Sequence, residues 1–112
     1  MSMKVESAFE HFTGSGFEVA LKREAGFVLL ACLRQEHEMR DQEDSLREVA
    51  RQYDGQLKVW ILDDHGQDKF HVQHRVMGTP TYLLFKNGAE KDRVLGKLSC
   101  EGLLEFVSRN LD

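Results

Sequence analysis

Two thiols, five histidines and a short run of acids are the side chains in this 112-residue chain best equipped for chemistry. Cys32 stands between Ala31 and Leu33 inside the apolar run Phe27–Leu33. Such surroundings raise a thiol pKa and block access to the sulfur. Free cysteine is also among the most buried residue types, so Cys32 is read as a core residue. Cys100 follows Ser99, a helix-capping type, which would set its sulfur near a helix N-terminus and open to solvent. A single exposed thiol is most often incidental, and with it comes at most monothiol chemistry. Two cysteines do not build the disulfide framework of a small secreted protein.

Glu36-His37-Glu38 offers carboxylates and an imidazole to a metal. Adjacent residues at a helix start point in different directions, however, and a metal needs three or four converging ligands, commonly with an i, i+3 or i, i+4 pair. His71 and His74 have that spacing and His65 precedes them, but nothing in the sequence brings them to His37. No metal and no other cofactor is expected. Thr13-Gly14-Ser15-Gly16 lacks the lysine and the preceding strand of a phosphate-binding loop, and spacing alone supports no Ser-His-Asp arrangement.

The acids are concentrated. From Arg34 through Asp44, five carboxylates (Glu36, Glu38, Asp41, Glu43, Asp44) face two arginines, a net −3 of the chain's −4. Carboxylates near a helix N-terminus offset the helix dipole, about 0.3–1 kcal/mol each. The competing reading is an acidic contact surface that steers basic or polar partners. With a pI near 5.7 and no basic patch, nucleic-acid binding is not expected.

These residues must be held by one domain spanning residues 1–112, since domains typically hold about 100–200 residues. Adding 9 glycines to the 41% hydrophobic residues gives about 49%, inside the globular range of about 45–50%. The N-terminus MSMKVESAFEHF has no apolar stretch after Lys4, and Phe27–Leu33 is far too short to span a bilayer. A cytoplasmic protein with no membrane association is the expectation.

A weak strand is predicted around Ala8–Phe12, followed by a capping box at Ser15-Gly16-Phe17-Glu18 that opens a short helix stopped by Gly26. Phe27–Leu33, with no polar alternation, suits a central parallel strand covered on both faces. A helix over about His37–Tyr53 places Met39, Leu46, Val49, Ala50 and Tyr53 on its inner face, with Gly55 as the stop. Leu57–Leu62 is the next strand, and Gln67–His74 a short helix presenting Phe70. Thr81–Phe85, the Asn87-Gly88 turn and Asp92–Leu95 read as a hairpin, with Gly96 a bend or bulge. Ser99 then caps a last helix with Leu103, Phe106, Val107 and Leu111 inward. Alternating βαβ units closed by a hairpin mean an α/β fold with a mixed sheet.

The only proline, Pro80, stands immediately before the strand Thr81–Phe85. The segment VMGTPTYLLFKNGAEKDRVLGKLSCEGLLEFVSRNL resembles the C-terminal half of thioredoxin, with its Gly-x-Pro-Thr, apolar strand, Asn-Gly turn and terminal helix. FEVALKREAGFVLLACL and SLREVARQYDGQLKVWIL are similar to that family's first helix and central strand and to its long helix and following strand. The resemblance covers about Ser15 to Leu111. It implies a thioredoxin-like fold, a mixed four- to five-stranded sheet with helices on both faces, and a cis bond before Pro80.

Where that family carries Cys-x-x-Cys, the matching positions are Glu36-His37-Glu38-Met39. The family's buried acid matches Leu30, its flanking tryptophans match Cys32 and Gln35, and its helix-kinking proline matches Asp44. Dithiol chemistry needs one thiolate to attack a disulfide and a second thiol to resolve it, so it is not expected at this position. The resemblance instead implies a redox-inactive module that binds a protein or extended peptide, a chaperone, adaptor or assembly factor. Glu36, His37, Glu38 and Met39 would form one wall of its site, and Met77, Gly78, Thr79 and Pro80 the other. The alternatives are a monothiol or otherwise atypical oxidoreductase using Cys100 or Cys32, and a metal-binding variant at Glu36, His37 and Glu38. The chain is expected to be a monomer or weak dimer.

Overall fold

The computed structural model describes residues 9–12, 16–34, 36–62 and 72–111. Strand β1 (Phe9–Phe12) is followed by helix α1 (Gly16–Arg23), β2 (Phe27–Cys32), α2 (Glu36–Gln52), β3 (Leu57–Leu62), β4 (Thr81–Lys86), β5 (Ala89–Leu95) and α3 (Cys100–Ser108). The five strands form one sheet in the order β1-β3-β2-β4-β5. β1 and β2 run parallel to β3, whereas β4 is antiparallel to both β2 and β5. The sheet is mixed, as the alternating first half and the closing hairpin require.

β2 is central because it has nothing to show water. Leu29 and Ala31 face one side with Val59, Ile61, Tyr82 and Leu84, against Leu46 and Val49 of α2 and Leu103, Phe106 and Val107 of α3. Val28, Leu30 and Cys32 face the other side with Trp60, Leu62, Leu83 and Phe85, where α1 contributes Leu21. The long helix begins one residue earlier than its apolar spacing indicates and ends one earlier, at Gln52. Met39 and Tyr53 pack only partly buried at the two ends of its inner face. Ser99 caps α3, its hydroxyl oxygen accepting the Gly102 N–H at 3.0 Å. No described helix is long and apolar enough to cross a membrane.

The Asn87-Gly88 turn does more than reverse the chain. Both residues have positive φ, 52° and 84°, the backbone that a tight hairpin of matching twist needs. Asn87 also accepts the Gly26 N–H on Oδ1 at 2.8 Å and donates its own N–H to Gly26 O at 2.9 Å, tying the turn to the entry of β2. The irregularity expected at Gly96 divides in two. Gly96 is a bend with φ 114°, and the ladder slips between Leu84 and Phe85, opposite Asp92 and Glu90, leaving Lys91 as the extra residue.

Three expectations fall partly or wholly outside the described residues: Ala8 of the first strand, Ser15 of the capping box, and most of the helix at Gln67–His74, of which only residues 72–74 are seen as helical. One core position was not on the expected inner face. Gln42 is 2% exposed, and its Oε1 accepts the hydroxyl of the fully buried Tyr82. Removing one partner of a buried pair strands the other, at about 1–3 kcal/mol, whereas removing both is close to neutral. Gln42→Leu should therefore lower stability in urea denaturation by about that amount, and adding Tyr82→Phe should recover most of it.

Candidate functional site

The N-terminal end of α2 and the loop before β4 lie side by side, because β2, which leads into α2, pairs directly with β4. Glu38, the third residue of α2, joins them. Its Oε1 accepts the Arg34 N–H at 2.8 Å, and its Oε2 accepts the Thr79 hydroxyl at 3.3 Å. The first bond closes the entry to the helix much as a capping glutamate does. The second crosses to the opposite wall.

On that wall the Thr79–Pro80 peptide bond is cis, and Pro80 is buried. The loop is fastened on both sides of the proline. The Thr81 hydroxyl donates to Gly78 O, and Gly96 N–H donates to Pro80 O at 2.8 Å. Arg93 of β5 holds the preceding turn, donating to His74 O at 2.7 Å and Arg75 O at 3.0 Å while also paired with Glu90. Arg75 itself sits at φ 56°. Thr79 commits only its hydroxyl to the fold; neither its backbone N–H nor its C=O bonds to a described residue. Beside it Met77 is 86% exposed, and Leu95 Cδ1 lies 3.7 Å from where a side chain on Gly78 would begin.

Of the eight residues expected at the site, Glu38, Thr79 and Pro80 are brought together as described, and Gly78 and Met77 continue the same loop. Met39 turns inward and packs partly buried against the core under α2. Glu36 and His37 open the helix, and their side chains lie outside the described residues, as do His65 and His71. Among the described residues no group of three His, Cys, Asp or Glu side chains is placed to hold a metal ion, and both oxygens of Glu38 already accept hydrogen bonds.

The acidity of this segment is answered largely from within the chain. Asp41 pairs with Lys97 at 2.9 Å and Glu43 with Arg47 at 2.8 Å, and Glu38 is bound as above. The acidic surface is thus compensated locally, with Asp44 exposed on the outer side.

Both cysteines are free thiols. Cys32 is fully buried on the face opposite α2 and α3. Burial pushes its pKa up to about 12, slightly offset by the positive charge of Arg93. Cys100 is half-buried at the first residue of α3. Sequence reasoning missed Gln42, Tyr82 and Arg93 as supports of the site. Gln42 had a signal: it falls between Met39 and Leu46 at the helical spacing of the inner face. Arg93 had none, because its partners are backbone carbonyls some eighteen residues away.

Arg93→Met should free the 74–80 loop while leaving the sheet intact, seen as hydrogen exchange at least tenfold faster in that loop than in β2. The Cys32 thiol also makes stability depend on pH. The unfolded thiol ionises near 9.0, but the folded one keeps its proton to about 12, so this contribution is complete below the first value and lost as pH rises toward the second. Urea denaturation between about pH 9 and 10 should show stability falling by up to about 1.4 kcal/mol per pH unit, with Cys32→Ala flattening the slope.

No protein-family model matches the chain. Among curated proteins it is similar to a thioredoxin of Pseudomonas aeruginosa, 42% identical over 67 residues, which are 59% of this chain and 61% of that one. Thioredoxins of Staphylococcus saprophyticus and Staphylococcus epidermidis are 33% identical over 66 residues, 59% of this chain and 64% of theirs. The matches thus span less than two thirds of the relatives' length. With the mixed five-stranded sheet, its flanking helices and the Gly-x-Pro-Thr loop that enters β4, these similarities support a thioredoxin-like fold.

Proposed function

We propose that the chain is a redox-inactive binding module that holds an extended segment of a partner protein between the Thr79–Pro80 loop and the start of α2. The observation that carries this reading is Thr79. Its side chain is anchored to Glu38, while its backbone donor and acceptor have no hydrogen-bond partners among the described residues. An extended peptide satisfies such a pair by adding strand-like hydrogen bonds, and this needs no thiol. Exposed Met77 and Leu95 supply apolar surface for alternate side chains of the bound segment. Glu36, His37 and Glu38, at the start of α2, form the facing end, with Met39 packed beneath them.

The relatives' name favours a second reading, thiol-disulfide exchange. Here the chain would have to use Cys100, since the Cys32 thiol is enclosed and held protonated. Two sulfurs at one site are what resolve a mixed disulfide, and the chain has no Cys-x-x-Cys to supply them.

Insulin-disulfide reduction separates the two readings. The chain should give no turnover above the dithiothreitol background, and a rate lost in Cys100→Ser would instead establish the redox reading. In parallel, proteins captured on immobilised wild type should be depleted at least tenfold on Thr79→Arg, which places a long cation over the open backbone. The same partners on both would exclude this loop as the contact.

A further inference from the structure

A cleft of about 530 Å³ separates α2 from the segment leading into α3, lined by Asp41, Gln42, Ser45, Lys97, Leu98 and Ser99. Gln42, 2% exposed, forms part of its wall. The Tyr82 hydroxyl donates to the amide oxygen, and the amide nitrogen has no hydrogen-bond partner among the described residues. Trp60 Nε1 is the only fully enclosed side-chain polar atom among the described residues without a partner. The Gln42 nitrogen is therefore not sealed in the core; it opens on the cleft with two N–H donors to satisfy.

Two opposite charges stand at the rim. Lys97 Nζ and Asp41 Oδ2 are 2.9 Å apart, with side chains 63% and 51% exposed. An exposed pair like this is worth about 1 kcal/mol or less, so Lys97 can turn toward a ligand at little cost, while the Asp41 carboxylate can accept from a ligand alongside its partners in the chain. The Ser99 oxygen accepts the Gly102 N–H, which leaves its hydroxyl hydrogen to donate, and the positive end of α3 lies behind it. Leu98, half-buried, is the apolar part of the lining. One anion, one cation, an unpaired amide donor and a hydrocarbon wall complement a molecule carrying the reverse set.

We propose that this cleft binds a small zwitterion, a free α-amino acid with an apolar side chain. Its carboxylate takes the Gln42 N–H donors and Lys97, its ammonium takes Asp41, and its side chain lies on Leu98. The site is separate from the Thr79 loop and stands or falls independently of peptide binding there.

The test is ¹H–¹⁵N NMR of the full chain titrated at constant ionic strength with L-leucine, N-acetyl-L-leucine and L-leucinamide. L-Leucine should move the Gln42 side-chain signals saturably, with a Kd on the order of millimolar, about −4 kcal/mol. Masking either the ammonium or the carboxylate should weaken binding at least tenfold, as should Lys97→Met. The Gln42→Leu/Tyr82→Phe variant, which removes the amide without stranding the tyrosine hydroxyl, should weaken it equally. Shifts that never saturate, equal binding of either masked compound, or unchanged affinity in Lys97→Met or in the double variant would overturn the proposal.

Discussion

β2 has no polar side chain on either face, and the arrangement of the molecule follows from the need to keep both faces from water. Its residues alternate between two apolar clusters, so helices or loops must cover both sides and strands must pair with both edges. β3 takes one edge in parallel and β4 the other in antiparallel. That double pairing brings the start of α2, which follows β2, beside the loop that enters β4. The candidate site is thus a by-product of burying one strand.

Across that junction, polar contacts stand where the family resemblance would place a pair of thiols. Glu38 caps the helix entry and reaches Thr79 with its two oxygens. One turn further along α2, Gln42 reaches Tyr82 on β4. Both links run from α2 to the segment around Pro80, at different depths. A buried polar pair specifies register more sharply than apolar packing, since a slip leaves a donor or acceptor unpaired. The Glu38 charge also adds to burial in keeping the Tyr82 hydroxyl protonated.

How much of this was legible depended on whether the information was periodic or relational. Phe27–Leu33, the inner face of α2, the Asn87-Gly88 turn and the Ser99 cap are local patterns, and each element formed within a residue or two of where its pattern placed it. The resemblance around Pro80 identified the loop. The inner face of α2 carried a misleading residue: Gln42 sits at core spacing but has a polar head, and only the hydroxyl of Tyr82, forty residues away, makes its burial acceptable. Arg93 is the stronger case. In an alternating edge strand it reads as a solvated charge, yet its guanidinium is the clasp on the 74–75 turn. No sequence pattern encodes a bond to a distant carbonyl.

Charge is where position mattered more than count. Read as a string, residues 34–44 fit either helix-dipole compensation or an acidic surface that steers a basic partner. In the folded chain three of these carboxylates, Glu38, Asp41 and Glu43, meet Thr79, Lys97 and Arg47, contributed by the loop, the approach to α3 and α2 itself. Exposed pairs such as Asp41–Lys97 and Glu43–Arg47 are worth little individually, so they do not explain the stability of the fold. Their effect is on what the surface shows a partner: a segment of net −3 in sequence is largely neutralised at close range, and its long-range field is weak beyond about one Debye length. Under the proposed binding role, recognition at the Thr79 loop would then rest on backbone hydrogen bonds and on the apolar surface of Met77 and Leu95, with electrostatic steering in a minor role.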